Sequence, residues 1–302
     1  MGIKIEKVSF EGWNNCLKIS NGLLEVIVPT EVGIRILGFN VIGKENMIYL
    51  NPEEKGLTGG EKYRFYGGHR IWHTPESFER TYSPDNFPIK VKEIENGLIL
   101  IQDIEPETFM QKELEIIMDP GTAKITVKNR IYNKGLWPVE TSVWSVTQFE
   151  KKGIHVMPVQ KDEFQLPPTW NMSFWSYTNL NDPRLTLNKD YMYLRQDPDY
   201  TETPVKIGFR TRAAWAAFSV KGQLIVKKYE FHEDKIYPDN NCAYETYTNE
   251  DFIEMETLSP LTNIQPGDFA EQTEYWYLFD NIEVKIDDDY VKQTIQPIVD
   301  KL

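Results

Sequence analysis

The stretch "AKITVKNRIYNKG", residues 123–135, decides the fold. Ile125, Val127, Asn129 and Ile131 fall on one parity, and Thr126, Lys128, Arg130 and Tyr132 on the other. A period of two sends alternate side chains to opposite faces of a strand. The closing Asn-Lys-Gly is turn chemistry. The same style extends along the chain, in "LLEVIVP" (23–29), "GIRILGFNVIG" (33–43), "GQLIVKKYEF" (222–231), "FIEMETLSP" (252–260) and "AEQTEYWYLF" (270–279). Short strands recurring about every ten residues predict a large antiparallel sandwich. Helical signals are confined to "DDDYVKQTIQPIVDKL" (287–302), where acidic residues open a short helix and Pro297 interrupts it. Residues 167–199, rich in Asn, Asp, Pro and Tyr, read as a long excursion of short irregular pieces, of the kind that often carries function. No linker, internal repeat or low-complexity segment divides the chain, so residues 1–302 are expected to form one domain.

Composition narrows the function classes. Hydrophobic residues make up 40% and charged residues 26%, the profile of a folded globular chain. Aromatics reach 13%, enough both to fill a sandwich core and to line a saccharide cleft. The net charge is −13, from 33 Lys plus Arg against 46 Asp plus Glu, with no basic block. A phosphate backbone needs a positive surface, so nucleic acid is not an expected partner. Two cysteines, Cys16 and Cys242, do not make a disulfide framework. The opening "MGIKIEKVSF" lacks the apolar run of a secretory signal, and Glu6 breaks the myristoylation pattern. No run approaches the roughly 18 apolar residues of a membrane span. The expectation is a cytoplasmic, reduced protein with no membrane partner.

Three stretches could carry chemistry. In "FIEMETLSP", Phe252, Glu254 and Glu256 share one strand face, with the carboxylates about 7 Å apart. In "LIVKKYEF", Ile225, Lys227, Tyr229 and Phe231 share a face, and a lysine in that company is either a snorkelling edge residue or a functional cation. In "YGGHRIWHTPE" (66–76), His69, Ile71 and His73 face one way, and Arg70 and Trp72 the other. Two glycines before His69 suggest a loop entering a strand with its backbone close to something. A zinc-protease helix is excluded, because Arg-Ile-Trp separates the histidines and Pro75 follows; Glu76 could add a third ligand, but no metal is expected. His155 and His232 read as structural or surface residues. No serine-nucleophile elbow, P-loop or dinucleotide fingerprint occurs, and no cofactor is expected.

The C-terminal third resembles the galactose mutarotase-like proteins, which include aldose 1-epimerases and hexose-phosphate epimerases. The likeness lies in a strand ending at "YTN" (247–249), the glutamate and threonine of "METLSP", and a Pro266-Gly267 turn before a final aromatic strand. Upstream, "GGHRIWHTPE" with "ERTYSPDN" (79–86), and "EVGIRILGF" (31–39), look like an uncharacterised branch of that superfamily. The resemblance implies a β-supersandwich of two large twisted antiparallel sheets with a sugar cleft, and a small saccharide or sugar derivative as partner. It implies anomer interconversion: a base takes the anomeric hydroxyl proton, an acid protonates the ring oxygen, and the ring opens and recloses. Glu256, matching the glutamate of an "ETQ" triplet, would be the base, and His69 or His73 the acid. Arg70, Trp72, Lys227, Glu254 and Tyr229 would bind the sugar. One departure stands out. The stretch corresponding to the family's "HxYF"-like segment is Val143–Phe149, which has no histidine. That leaves open a non-catalytic saccharide-binding or sensing protein on the same scaffold. Paired carboxylates also suit a glycoside hydrolase or lyase, although two glutamates on one strand face reach a sugar from the same side.

Overall fold

The computed structural model describes residues 2–160, 166 and 170–302. The deciding stretch forms the strand Lys124–Asn133, with Ile125, Val127, Asn129, Ile131 and Asn133 buried and the other parity half-buried. It lies between Phe269–Asp280 and Met110–Met118 in a ten-stranded sheet. The second large sheet has six strands, in the order Met172–Phe174, Val205–Phe209, Tyr244–Thr248, Ile253–Leu258, Val143–Phe149 and His69–His73. All the pairings in both sheets are antiparallel. A four-stranded sheet, Lys4–Phe10 to Gly38–Val41, and a two-stranded one complete the fold. The chain is all-β.

The expected run at 33–43 is shorter than its composition suggests. Only Gly38–Val41 pairs as a strand, while Ile36 makes a single bridge to His69. Of the expected excursion, residues 167–169 lie outside the described residues. The rest is more regular than expected, with strands at Met172–Phe174, Leu185–Leu187 and Tyr191–Arg195. At the C-terminus, Asp287 caps Asp288–Thr294 by accepting bonds from the Asp289 and Tyr290 amides. Pro297 sits in the first turn of a second short helix, Gln296–Val299, where its missing N–H leaves no intrahelical bond unmade. Val291, Ile295 and Val299 cover Tyr193, Trp215 and Val226 on the ten-stranded sheet.

The inner faces of the two large sheets enclose the core, and a fully buried polar network crosses it. Lys227 Nζ donates to Glu274 at 3.0 Å and to Thr147 at 2.7 Å, and the Thr257 hydroxyl donates to Glu274 at 2.7 Å. Around it lie Trp276, Phe39, Ile71 and Met255. A buried ion pair stays tolerable when further hydrogen bonds satisfy its lone pairs and protons. Gly67 and Gly68 deliver the chain into His69–His73. Their φ values are +91° and +82°, and a Cβ on Gly67 would lie 2.2 Å from the Tyr49 carbonyl oxygen. The double glycine is a backbone requirement of the strand that carries Arg70.

Candidate functional site

The outward parity of the six-stranded sheet builds a floor. One row of cross-strand neighbours runs Lys206, Tyr247, Glu254, Gln148. The next runs Gly208, Glu245, Glu256, Val146, Arg70, and a third Leu258, Trp144, Trp72. Neighbours across a sheet point the same way, so these side chains gather on one face. Together with Phe65, Glu76, Tyr82, Tyr177 and Phe252 they shape a cleft of about 280 Å³, with Glu256 and Glu245 beneath its lining.

Charge on this floor is dense. Lys206 Nζ lies 2.8 Å from Glu245 and 3.0 Å from Glu256, over the indoles of Trp144 at 4.5 Å and Trp175 at 4.7 Å. Burial disfavours its charge, but Glu245 and Glu256 outweigh that and hold its proton affinity well above the usual value. Burial, helped by Glu256 and Asp239 against the pull of Lys206, drives the Glu245 carboxyl well above the carboxylate range. Trp144 Nε1 donates to Glu256 at 2.7 Å, and Glu256 Oε1 has no partner. Glu254 accepts from Gln148 at 2.8 Å and from Arg70 at 3.2 Å. Burial, then the Glu256 charge, pushes Glu254 up to about 7, against Arg70 and Lys206. Arg70 stacks on Trp72 at 4.0 Å, and its Nε is buried without a partner.

No protein-family model matches the chain, and no curated protein matches its sequence. Solved structures do. A galactose mutarotase-like protein from Clostridium acetobutylicum aligns over 92% of this chain and 99% of its own, at 11% identity and a TM-score of 0.55. A candidate aldose 1-epimerase from Klebsiella pneumoniae aligns over 99% and 87%, at 13% identity and 0.57. A TPR-domain containing protein from Parabacteroides distasonis aligns over 90% of this chain and 49% of its own, at 14% identity and 0.57.

The chain has the galactose mutarotase-like fold. On this galactose mutarotase-like scaffold the expected residues separate by face. Arg70, Trp72 and Glu254 line the cleft, and Glu256 adjoins it from below, capped by Lys206 and Trp144. His69 and His73 do not reach it, because strand alternation turns them away from Arg70 and Trp72. His69 Nε2 meets Asn129 Oδ1 and Nδ1 meets Thr147 Oγ1, both at 2.8 Å. A carboxamide oxygen only accepts, so Nε2 carries the proton. Burial pulls His69 down to about 4 and His73 to about 3, so both stay neutral near pH 7. Lys227 lies in the inter-sheet network, and Tyr229 stacks on Tyr244 at 5.5 Å in the core, so neither faces the cleft. His155 is buried too, bonded to Thr246 and Tyr244.

The floor residues that motif reading passed over are Lys206, Glu245, Trp144 and Gln148. Lys206 in "VKIGF" carries the signal that singled out Lys227, a lysine inside an apolar strand. Val143–Phe149 drew notice for its missing histidine, yet it supplies Trp144 and Gln148. Among the described residues, no group of three or more His, Cys, Asp or Glu side chains is arranged to hold a metal ion. No helix there is long and apolar enough to cross a membrane.

Proposed function

We propose that this chain binds a saccharide in the Arg70–Glu254 cleft and interconverts its anomers by acid–base ring opening, with Glu254 as the proton carrier. The observation that carries this reading is a buried carboxyl with a proton affinity near neutrality, lining a cleft walled by Trp72, Tyr247 and Phe252. A catalytic group works best when its pKa lies near the operating pH. Glu254 as carboxylate takes the anomeric hydroxyl proton, C1 forms its carbonyl, and the bond from C1 to the ring oxygen breaks. The protonated Glu254 returns that proton to the ring oxygen, which had been bonded to the same carbon. Rotation about C1–C2 and the reverse steps give the other anomer. Lys206, held charged, steadies the transient negative charge, while Arg70 and Gln148, which line the cleft, offer donors to hydroxyls. Glu256 holds Lys206 and raises Glu254 rather than touching the sugar.

The test is anomer exchange, followed by NMR or polarimetry across hexoses, pentoses and uronic acids. Wild type should accelerate exchange over buffer, and Glu254→Gln should lose about 10²-fold or more. No acceleration for any sugar would remove the catalytic reading. A second reading, saccharide binding without turnover, is favoured by one observation: among the described residues, no histidine lines the cleft. Binding that persists in Glu254→Gln, with a wild type no faster than buffer, would select it. The cytoplasm as its compartment belongs to the same proposal, supported by the two free, buried cysteines.

A further inference from the structure

We propose that the saccharide of this cleft is an amino sugar, its ammonium held at the rim by Glu76 and the rings of Phe65 and Tyr82. The inference rests on the sugar reading above and adds the charge class of the sugar.

The first observation is that the cleft's cations are already paired. Glu76, Asp239, Glu245, Glu254 and Glu256 surround the cleft or its floor, against Arg70 and Lys206. Both cations are already engaged. Arg70 has Glu254 at 3.2 Å and Trp72 beneath it, and Lys206 has two carboxyl groups and two indoles. A phosphate or carboxylate on the sugar would have to displace those carboxyl groups, leaving them buried and unpaired. Among the described residues, the face has no free cation to offer an acidic sugar. Burial first, then acidic neighbours, raises Asp239, Glu245 and Glu254 and favours their neutral forms, so the carboxyl groups of the floor do not call for an anionic ligand's counter-charge, and the exposed Glu76 is the one set at the rim.

The second observation is the rim. Glu76 is exposed and accepts the Tyr82 hydroxyl. Burial, reinforced by Glu76, keeps that hydroxyl protonated. Around Tyr82 stand Phe65 at 5.6 Å, Phe78 at 5.9 Å and Trp72 at 5.3 Å. Phe65 is 49% exposed and Phe78 88%. Aromatic faces with an adjacent carboxylate, open to solvent, are the chemistry that recognises an ammonium group. A neutral hydroxyl in the same place would use the carboxylate and gain no cation–π attraction from the rings.

The experiment is calorimetric titration at about pH 6.5, where a sugar amine is protonated. Glucosamine and galactosamine are compared with glucose and galactose, their N-acetyl forms, the uronic acids and the 6-phosphates. An amino hexose should bind about five- to tenfold tighter than its parent, and the N-acetyl form about as the parent does. Uronates and phosphates should bind weakest. In Glu76→Gln, an exposed substitution, the amino advantage should vanish. An advantage that survives Glu76→Gln, an N-acetyl form as tight as the free amine, or acidic sugars as tight as amino sugars would each overturn the inference. Parent hexoses binding with no amino preference would overturn it and leave the sugar reading standing. Failure of every sugar to bind would overturn both.

Discussion

Glu254→Gln separates a titrating carboxyl from an inert neighbour of the same shape. In the folded chain Glu254 holds its proton up to about 7, against an ordinary value of 4.5. At about 1.4 kcal/mol per pH unit, that difference amounts to about 3 kcal/mol. The sign follows from proton counting. Between the two values the folded state binds more protons than the unfolded one, so this group's stabilisation is full below pH 4.5 and is lost as pH rises through about 7. The amide does not titrate, and its oxygen can still accept from Arg70 and Gln148. Urea unfolding of both proteins from about pH 4.5 to 8 cancels the other titrating groups to first order. The wild type should lose about 3 kcal/mol relative to the variant across that range. A difference constant to within about 0.5 kcal/mol would show that Glu254 is an ordinary solvated carboxylate. The proton-carrier role would then lose its physical basis.

Three further outcomes test the surrounding structure. Lys206→Met leaves Glu245 and Glu256 buried without their cation, and should cost about 3–5 kcal/mol at pH 7 in chemical denaturation; a loss under about 1 kcal/mol would contradict the buried pairings. His69, His73 and His155, held down to about 4, 3 and 3 by burial, should show no imidazole titration in NMR between pH 5.5 and 8. Because the folded state resists their protonation, they withdraw stability as pH falls below 6.5; an inflection near 6.5 in any of the three would place that ring in solvent. Gly67→Ala drives a methyl into the Tyr49 carbonyl at φ +91° and should cost about 2–4 kcal/mol while weakening ligand binding through Arg70. An unchanged melt would refute the close approach.

The strands were legible because their period is local. Residues 123–135, 222–231, 252–260 and 270–279 each announce a strand by alternation, and each is one. The excursion at 167–199 was less legible, since a three-residue strand such as Met172–Phe174 draws its pairing from a distant partner, Val205–Phe209. The floor of the cleft was harder still. Its rows join Lys206, Glu245, Glu254, Gln148 and Arg70 through strand registers that no short window encodes.

Alternation does contain one constraint that the candidate set violated. His69 and His73 share a parity, and Arg70 and Trp72 have the other, so a flat strand cannot offer all four to one ligand. Choosing between the parities needs only the partner strands. Arg70 falls opposite Val146, which falls opposite Glu256, so the face that holds the glutamates holds the arginine and excludes both histidines. The same logic separates two lysines with one signature. Lys227 pairs across to Trp276 in the ten-stranded sheet and turns inward to Glu274, while Lys206 pairs across to Tyr247 and turns outward to Glu245 and Glu256. A lysine in an apolar strand therefore reports that a buried carboxylate waits for it. Which side of the sheet that carboxylate occupies is a property of register, and register decides whether the pair holds the sheets together or serves a ligand.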